Sequence, residues 1–230
     1  RLAGIVRTPA AMKVGERRPA FLVLHGFGSN KGAENVLGPC GALESLGYVT
    51  MRFDMRGCGE SEGERGNLLC LDQVQNTRDA YSFLNGYAEV EQGRIGVIGS
   101  SFGAAVGVYA GAIDDRFACV ISSGGWGHGE RKFRGQHPGA EAWAKFTTML
   151  EEGKRYRART GKSLMVPRMD IVPIPPSLKR QIVPGSINEF TAETAQSMFD
   201  FRAEDVVGKI APRPLLLLHS SVDSVTPTEQ

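Results

Sequence analysis

The stretch Arg94–Ala112, RIGVIGSSFGAAVGVYAGA, decides how this chain is read. Its opening residues form a short apolar run that stops at a glycine, the mark of a buried strand, and the small apolar residues from Phe102 onward run long enough for a helix. Between the two lies Gly99-Ser100-Ser101-Phe102-Gly103. A GxSxG pentapeptide is common by chance. Placed between a strand and a helix, it reads as a nucleophile elbow: the serine stands on a sharp, strained turn, and its hydroxyl points out above the sheet. Side chains two residues to either side would collide with such a turn, so Gly99 and Gly103 are required. The helix also aims the positive end of its dipole at the place where negative charge develops. Ser101 is the central serine, and Ser100 is expected to face elsewhere. The plainer alternative is a Gly/Ser helix cap.

The same rhythm runs outward from this point. Ala20–His25 (AFLVLH), Tyr48–Asp54 (YVTMRFD), Phe117–Ser122 (FACVIS) and Pro214–His219 (PLLLLH) are strand-like. Ala33–Leu46 and Leu71–Tyr87 carry apolar residues at helical spacing. Strands alternating with helices need crossover connections, and these give parallel strands covered on both faces. The fold class is therefore α/β, a mostly parallel sheet flanked by helices. One segment breaks the pattern. From Gly124 to about Asp200 the chain turns polar, basic and proline-rich (Pro167, Pro173, Pro175, Pro176, Pro184), with no clear buried strand. Within it Ala140–Arg157 and Thr191–Phe199 look helical. The predicted organisation is a core over 1–123, a cap or lid inserted over 124–200, and a second part of the core over 201–230. A surface excursion without function is the alternative for the insert. The basic stretch Lys154–Arg168 reads as a solvated face.

Composition sets further bounds. The net charge is +2, so no clustered excess of Lys and Arg suggests nucleic acid or an anionic membrane. The longest apolar runs, near Phe21–Leu24 and Leu215–Leu218, fall far below the roughly 20 residues that span a bilayer. Cys40, Cys58, Cys70 and Cys119 form no CxxC pair and have no histidine at zinc-finger spacing, and they read as free thiols. With no metal or cofactor motif, the expectation is a cytoplasmic protein that needs no cofactor. Its partner would be a small-molecule acyl substrate, with a homodimer left open.

Three further motifs give the chain a family likeness. His25-Gly26-Phe27-Gly28-Ser29 follows a buried strand, Asp54-Met55-Arg56-Gly57-Cys58-Gly59-Glu60-Ser61 follows the next, and LLLLHSSVDSVTP ends in a strand, a turn and Asp223. With the elbow, they make the chain resemble the serine hydrolases of the α/β-hydrolase superfamily, in its dienelactone hydrolase, serine aminopeptidase S33 and S15-like branches. The resemblance runs from about Val14 to Gln230, loosely across the insert. It implies an oxyanion hole formed by the backbone N–H groups of Phe27 and Phe102. It implies that Asp223 is the acid that orients a catalytic histidine. His25 is then a turn-stabilising residue, and Asp54 and Arg56 hold a structural loop.

The family order is serine, acid, histidine. No histidine follows Asp223, since the four are His25, His128, His137 and His219. The resemblance places the base, one more strand and a closing helix beyond Gln230, and recruitment of His128 as the base is an alternative. Ser123-Gly124-Gly125-Trp126-Gly127-His128 follows a strand end, so Trp126 and His128 are candidate substrate contacts, with Trp126 equally readable as a packing aromatic. The implied activity is hydrolysis of an ester, thioester or amide through an acyl-enzyme, like a carboxylesterase. Peptidase, carbon–carbon hydrolase, acyltransferase and inactive ligand-binding readings share the same elbow. Dehalogenases and epoxide hydrolases carry Asp where this chain has Ser101.

Overall fold

The computed structural model describes residues 1–175 and 183–228. Pro176 and Gln230, named above, lie outside the described residues. A six-stranded sheet runs in the order β1-β3-β2-β4-β5-β8. These are β1 (Gly4–Arg7), β2 (Arg18–Leu24), β3 (Val49–Phe53), β4 (Val90–Ser100), β5 (Val120–Ser123) and β8 (Leu215–Leu218). All neighbours are parallel except β1, which pairs antiparallel with β3 at the edge. Helices α1 (Glu34–Ser45), α2 (Cys70–Asn85) and α3 (Phe102–Ile113) make the crossovers.

The central strands explain the arrangement. In β2, Ala20–Leu24 are all buried, as a strand covered on both faces requires. Helix α3 is buried almost all round, which suits its run of Ala, Gly and Val: small side chains let it press onto the sheet. The elements predicted from the sequence are present with bounds moved by a few residues. Strand β5 begins at Val120 rather than Phe117, and β1 carried no signal that sequence reading recognised. Strand β8 carries four leucines. Their pattern is that of a buried strand, yet Leu217 is 65 % exposed and Leu216 and Leu218 are exposed as well. Among the described residues β8 pairs only with β5.

Segment 124–200 contains α4 (Gly129–Gln136), α5 (Ala140–Thr160), β6 (Met165–Pro167), α6 (Arg168–Ile171), β7 (Glu189–Thr191) and α7 (Ala192–Asp200). The expectation that it holds no buried strand is corrected here. β6 and β7 form an antiparallel pair, and Val166, Phe190 and Thr191 are buried. At three residues each, these strands are too short to show alternation.

One ionic corner holds α2, α3 and the approach to β8 together. Asp114, at the end of α3, is only 4 % exposed. Its carboxylate accepts from Arg116 Nε (2.8 Å), Arg116 Nη2 (2.6 Å) and Arg78 Nε (3.0 Å). Arg213 Nη1 donates to the Asp114 and Phe117 carbonyls. The Arg116 guanidinium, with Arg78 beside it, holds the Asp114 carboxyl down at about 2. The unfolded chain protonates near 3.9, so this stabilisation is complete above about pH 4 and lost as the pH falls through 2. Both arginines are partly exposed, which tempers the contribution. Asp114→Asn is expected to cost about 1–3 kcal/mol at pH 7. Urea denaturation should show the gap to wild type narrowing as the pH is lowered from 4 toward 2.

Candidate active site

The elbow is formed by close backbone contact. A Cβ on Gly99 would lie 2.1 Å from the Gly103 carbonyl oxygen, and one on Gly103 would lie 2.5 Å from that of His25. The start of α3 thus passes over β4 and the end of β2 with no room for a side chain at either position. Ser101 has φ 53° and ψ −114°, and among the described residues no other non-glycine residue has a positive φ. Such strain costs about 1–3 kcal/mol and persists only where the surroundings enforce it. Here the Ser101 N–H donates to the Ser123 carbonyl (2.8 Å), and the Ser101 carbonyl accepts from the N–H groups of Ala104 (3.0 Å) and Ala105 (3.2 Å). Ser100 turns aside as expected, its Oγ accepting from Asn35 Nδ2 (3.1 Å).

The turn after β2 abuts this serine, since a Cβ on Gly26 would stand 3.8 Å from the Ser101 Cβ. Among the described residues, the backbone N–H groups of Phe27 and Phe102 have no hydrogen-bond partner. Their rings lie 5.8 Å apart, and the Phe102 ring lies 5.9 Å from that of Trp126. Trp126 is buried, and its indole nitrogen is unpartnered among the described residues.

His25 anchors the turn. It is fully buried, its Nε2 accepts from the Met55 N–H (3.0 Å), and its Nδ1 donates to the Gly26 carbonyl (2.8 Å). Burial pushes its pKa down, which keeps the neutral ring those bonds need. The loop after β3 is held by Asp54, which accepts from the Lys31 N–H (2.7 Å), Lys31 Nζ (2.6 Å) and the Glu60 N–H (2.9 Å). Arg56 holds the same loop through its backbone: its N–H donates to Asn76 Oδ1 and its carbonyl accepts from Gln73 Nε2.

Asp223 lies in the turn after β8. Its Oδ1 accepts from the N–H groups of Val225 and Thr226, both at 2.8 Å. Its Oδ2 lies 3.5 Å from where a Cβ on Gly124 would stand, beside the end of β5 to which Ser101 is bonded. His219 Nε2 is 3.8 Å from that Oδ2, too far for a hydrogen bond, and it bonds the Thr226 carbonyl at 2.5 Å instead. His128 caps α4, its Nδ1 accepting from the Arg131 N–H (3.2 Å). His137 Nε2 bonds the Ile171 carbonyl. Ser101, Phe27, Phe102 and Trp126 are thus brought together, and Asp223 is joined to them through Ser123 and Gly124.

Sequence reading missed the side chains that segment 124–200 brings to this edge. Lys132 on α4 is 2 % exposed, its Nζ 4.9 Å from the Trp126 ring centre and 4.2 Å from that of Phe133. That Nζ donates to Gln136 Oε1 (2.8 Å), and Gln136 Nε2 donates to the Val225 carbonyl in the Asp223 turn (2.5 Å). Phe190 stacks on Phe27 with centroids 4.1 Å apart. Two clefts, one near Lys31 and Arg65 and one between α5 and α7, are lined by none of Ser101, Phe27, Trp126 and Asp223. No group of three or more potential metal ligands occurs among the described residues, and none of their helices is long and apolar enough to cross a membrane.

A family model described as serine aminopeptidase, S33, matches residues 15–230. An uncharacterized 31.7 kDa protein of the traX-finO intergenic region of Escherichia coli is 30% identical over 225 residues, covering 93% of this chain and 76% of that protein. Polyketide transferase ATR5 of Stachybotrys chlorohalonatus is 35% identical over 111 residues, covering 47% of this chain and 37% of the transferase. The structure of DcsB in complex with its substrate analogue superposes with a TM-score of 0.80 at 18% identity, covering 99% of this chain and 78% of that one. At that identity the likeness concerns the fold.

Two substitutions test this description. Gly103→Ala is expected to lower stability by about 1–3 kcal/mol through backbone overlap. Gly41→Ala, on the open face of α1 with nothing within 4 Å, is expected to leave it unchanged or raise it. Urea denaturation compares the two. Lys132 gives a test in pH. Burial pushes its pKa down to about 7. The unfolded chain holds this proton up to about pH 10, so the folded state gains stability as the pH rises from 7 to 10 and lacks that gain at 7 and below. Lys132→Met is expected to raise stability at pH 7 by about 1–4 kcal/mol and to remove the rise, as unfolding measured from pH 6 to 10 would show.

Proposed function

Because the chain belongs to the serine aminopeptidase S33 family of the α/β-hydrolase superfamily, whose chemistry is broadly hydrolysis or acyl transfer, we propose that it cleaves an ester, thioester or amide bond through an acyl-enzyme on Ser101. The observation that carries this reading is a strained serine beside Gly26, flanked by the unpartnered N–H groups of Phe27 and Phe102. In the proposed route Ser101 Oγ attacks the carbonyl carbon, and a histidine takes its proton. The two N–H groups stabilise the resulting oxyanion, a type of contact worth about 100- to 1,000-fold in rate per donor. The same histidine returns the proton to the leaving group as the carbon–heteroatom bond breaks. An acceptor, water in the hydrolytic case, then releases the acyl group.

Asp223 is assigned to orient that base. Its Oδ1 is fixed by two amides, and its Oδ2 makes no hydrogen bond among the described residues. His25, His137 and His219 each commit Nε2 to the fold, and His128 commits Nδ1 to a helix cap. None of the four hydrogen-bonds Asp223 among the described residues, so the proposal assigns the base to none of them. Segment 124–200 is assigned as the cap, with Trp126 and His128 facing the substrate. Transfer to an acceptor other than water is the second reading, favoured by the likeness to a polyketide transferase over about half of the chain.

The test is labelling of the full-length protein with a neutral fluorophosphonate, followed by peptide mass mapping. The adduct is expected on Ser101, with Ser101→Ala unlabelled and its hydrolysis of 4-nitrophenyl esters reduced by about 1,000-fold or more. Labelling that persists in Ser101→Ala removes the proposal.

A further inference from the structure

Arg168 contradicts the reading of Lys154–Arg168 as a solvated face. Lys154, Arg155, Arg157 and Arg159 are exposed on α5, as expected, but Arg168 folds inward. Its guanidinium carbon lies 5.3 Å from the centre of the Phe27 ring. Its backbone N–H donates to the Asn188 carbonyl (2.7 Å), which fixes the side chain's root. Nη1 makes one long contact, 3.4 Å, with the Ile187 carbonyl, and Nε is buried with no partner among the described residues. The turn is shaped to receive this group. Gly28, at φ 56°, would carry a Cβ only 3.1 Å from Arg168 Nη1 and 2.3 Å from Phe190 Cζ, so a larger residue would expel both.

Nothing described neutralises this cation. Among the described residues no carboxylate pairs with Arg168, whereas Lys31, on the same loop, is paired with both Asp54 and Glu60. Residues 176–182 contain no Asp or Glu. The one titratable neighbour that favours its charge is Cys58, whose own thiol burial pushes up to about 12 and so keeps protonated. Arginine cannot escape by losing its proton. Arg168 is half-buried with its Nε out of reach of water, so its cation is partly desolvated without a counter-charge, and that cost is recovered when an anion enters.

We propose that Arg168 is a specificity residue that binds an anionic group of the substrate, a carboxylate or phosphate, next to the Phe27 turn. The inference rests on the reading of that turn as one side of the reaction site, and it narrows the substrate to an anionic acyl compound. The anion sits either on the acyl part or on the leaving group. Either way the anion offers the oxygens that a planar guanidinium binds.

Two experiments separate this inference from the hydrolase reading. In the first, full-length Ser101→Ala protein is titrated with glutarate monomethyl ester and with 4-hydroxybenzoate, each against its neutral methyl ester, by calorimetry. An anion is expected to bind about 10- to 100-fold more tightly than its neutral match, and Arg168→Met should abolish the difference while Arg168→Lys retains part of it. In the second, kinetics compare the 4-nitrophenyl hemiester of glutaric acid with 4-nitrophenyl butyrate, and the butyrate ester of 4-hydroxybenzoate with that of its methyl ester. The pair that discriminates identifies the side of the scissile bond bearing the charge. Arg168→Met should raise KM for the anionic member about 10- to 100-fold and change the neutral member by less than about threefold. Equal binding of charged and neutral ligands, or equal loss of both in Arg168→Met, would overturn the inference. Failure of fluorophosphonate labelling would remove the hydrolase reading and leave the calorimetric result to decide on the anion site.

Discussion

The structure turns on the backbone contact between the start of α3 and the ends of β4 and β2. Where Gly99 and Gly103 meet, and where Gly103 meets the His25 carbonyl, no Cβ fits. That approach forces the one residue between the strand and the helix, Ser101, into a backbone conformation that side chains rarely adopt. The strain is held because Ser101 is tied to the end of β5 through Ser123 and to α3 through Ala104 and Ala105. A serine in this position cannot relax into an ordinary helix cap without unpacking the sheet. Its exposure above the strands follows from packing that the rest of the core maintains.

Around that point the other parts are arranged by bonds that leave their chemistry free. His25 spends both ring nitrogens on the fold, which keeps the turn before Phe27 in place and leaves the Phe27 amide unpaired. Asp54 and Glu60 share the Lys31 ammonium beneath the same loop. Asp223 uses one carboxylate oxygen to hold its turn and keeps the other available.

Segment 124–200 adds what the motifs do not carry. Trp126, Lys132 and Gln136 run from the Phe102 ring to the Asp223 turn, so that turn is braced by a helix remote from it in sequence. Phe190 and Arg168 cover the other side at Phe27. Buried Lys132 and half-buried Arg168 thus lie against the Trp126 and Phe27 rings. One sheds its proton near neutrality and the other keeps it, which gives the two different roles.

The sequence by itself determined the α/β alternation, the parallel core strands, the tight turn at Ser101, the structural role of His25 and the position of Asp223 in a turn after a strand. These are local: a short apolar run, a glycine spaced by two and a turn residue each state their requirement within a few positions. Tertiary structure alone decided that Lys31 partners Asp54 and that β6 and β7 pair across more than twenty residues. It also decided that Arg168 leaves a run of solvated basic residues to lie on Phe27. Charge and hydropathy along a chain record what a residue is. Whether a cation meets a carboxylate, an aromatic ring or water depends on which distant segments the fold brings against it, and no spacing in the sequence encodes that.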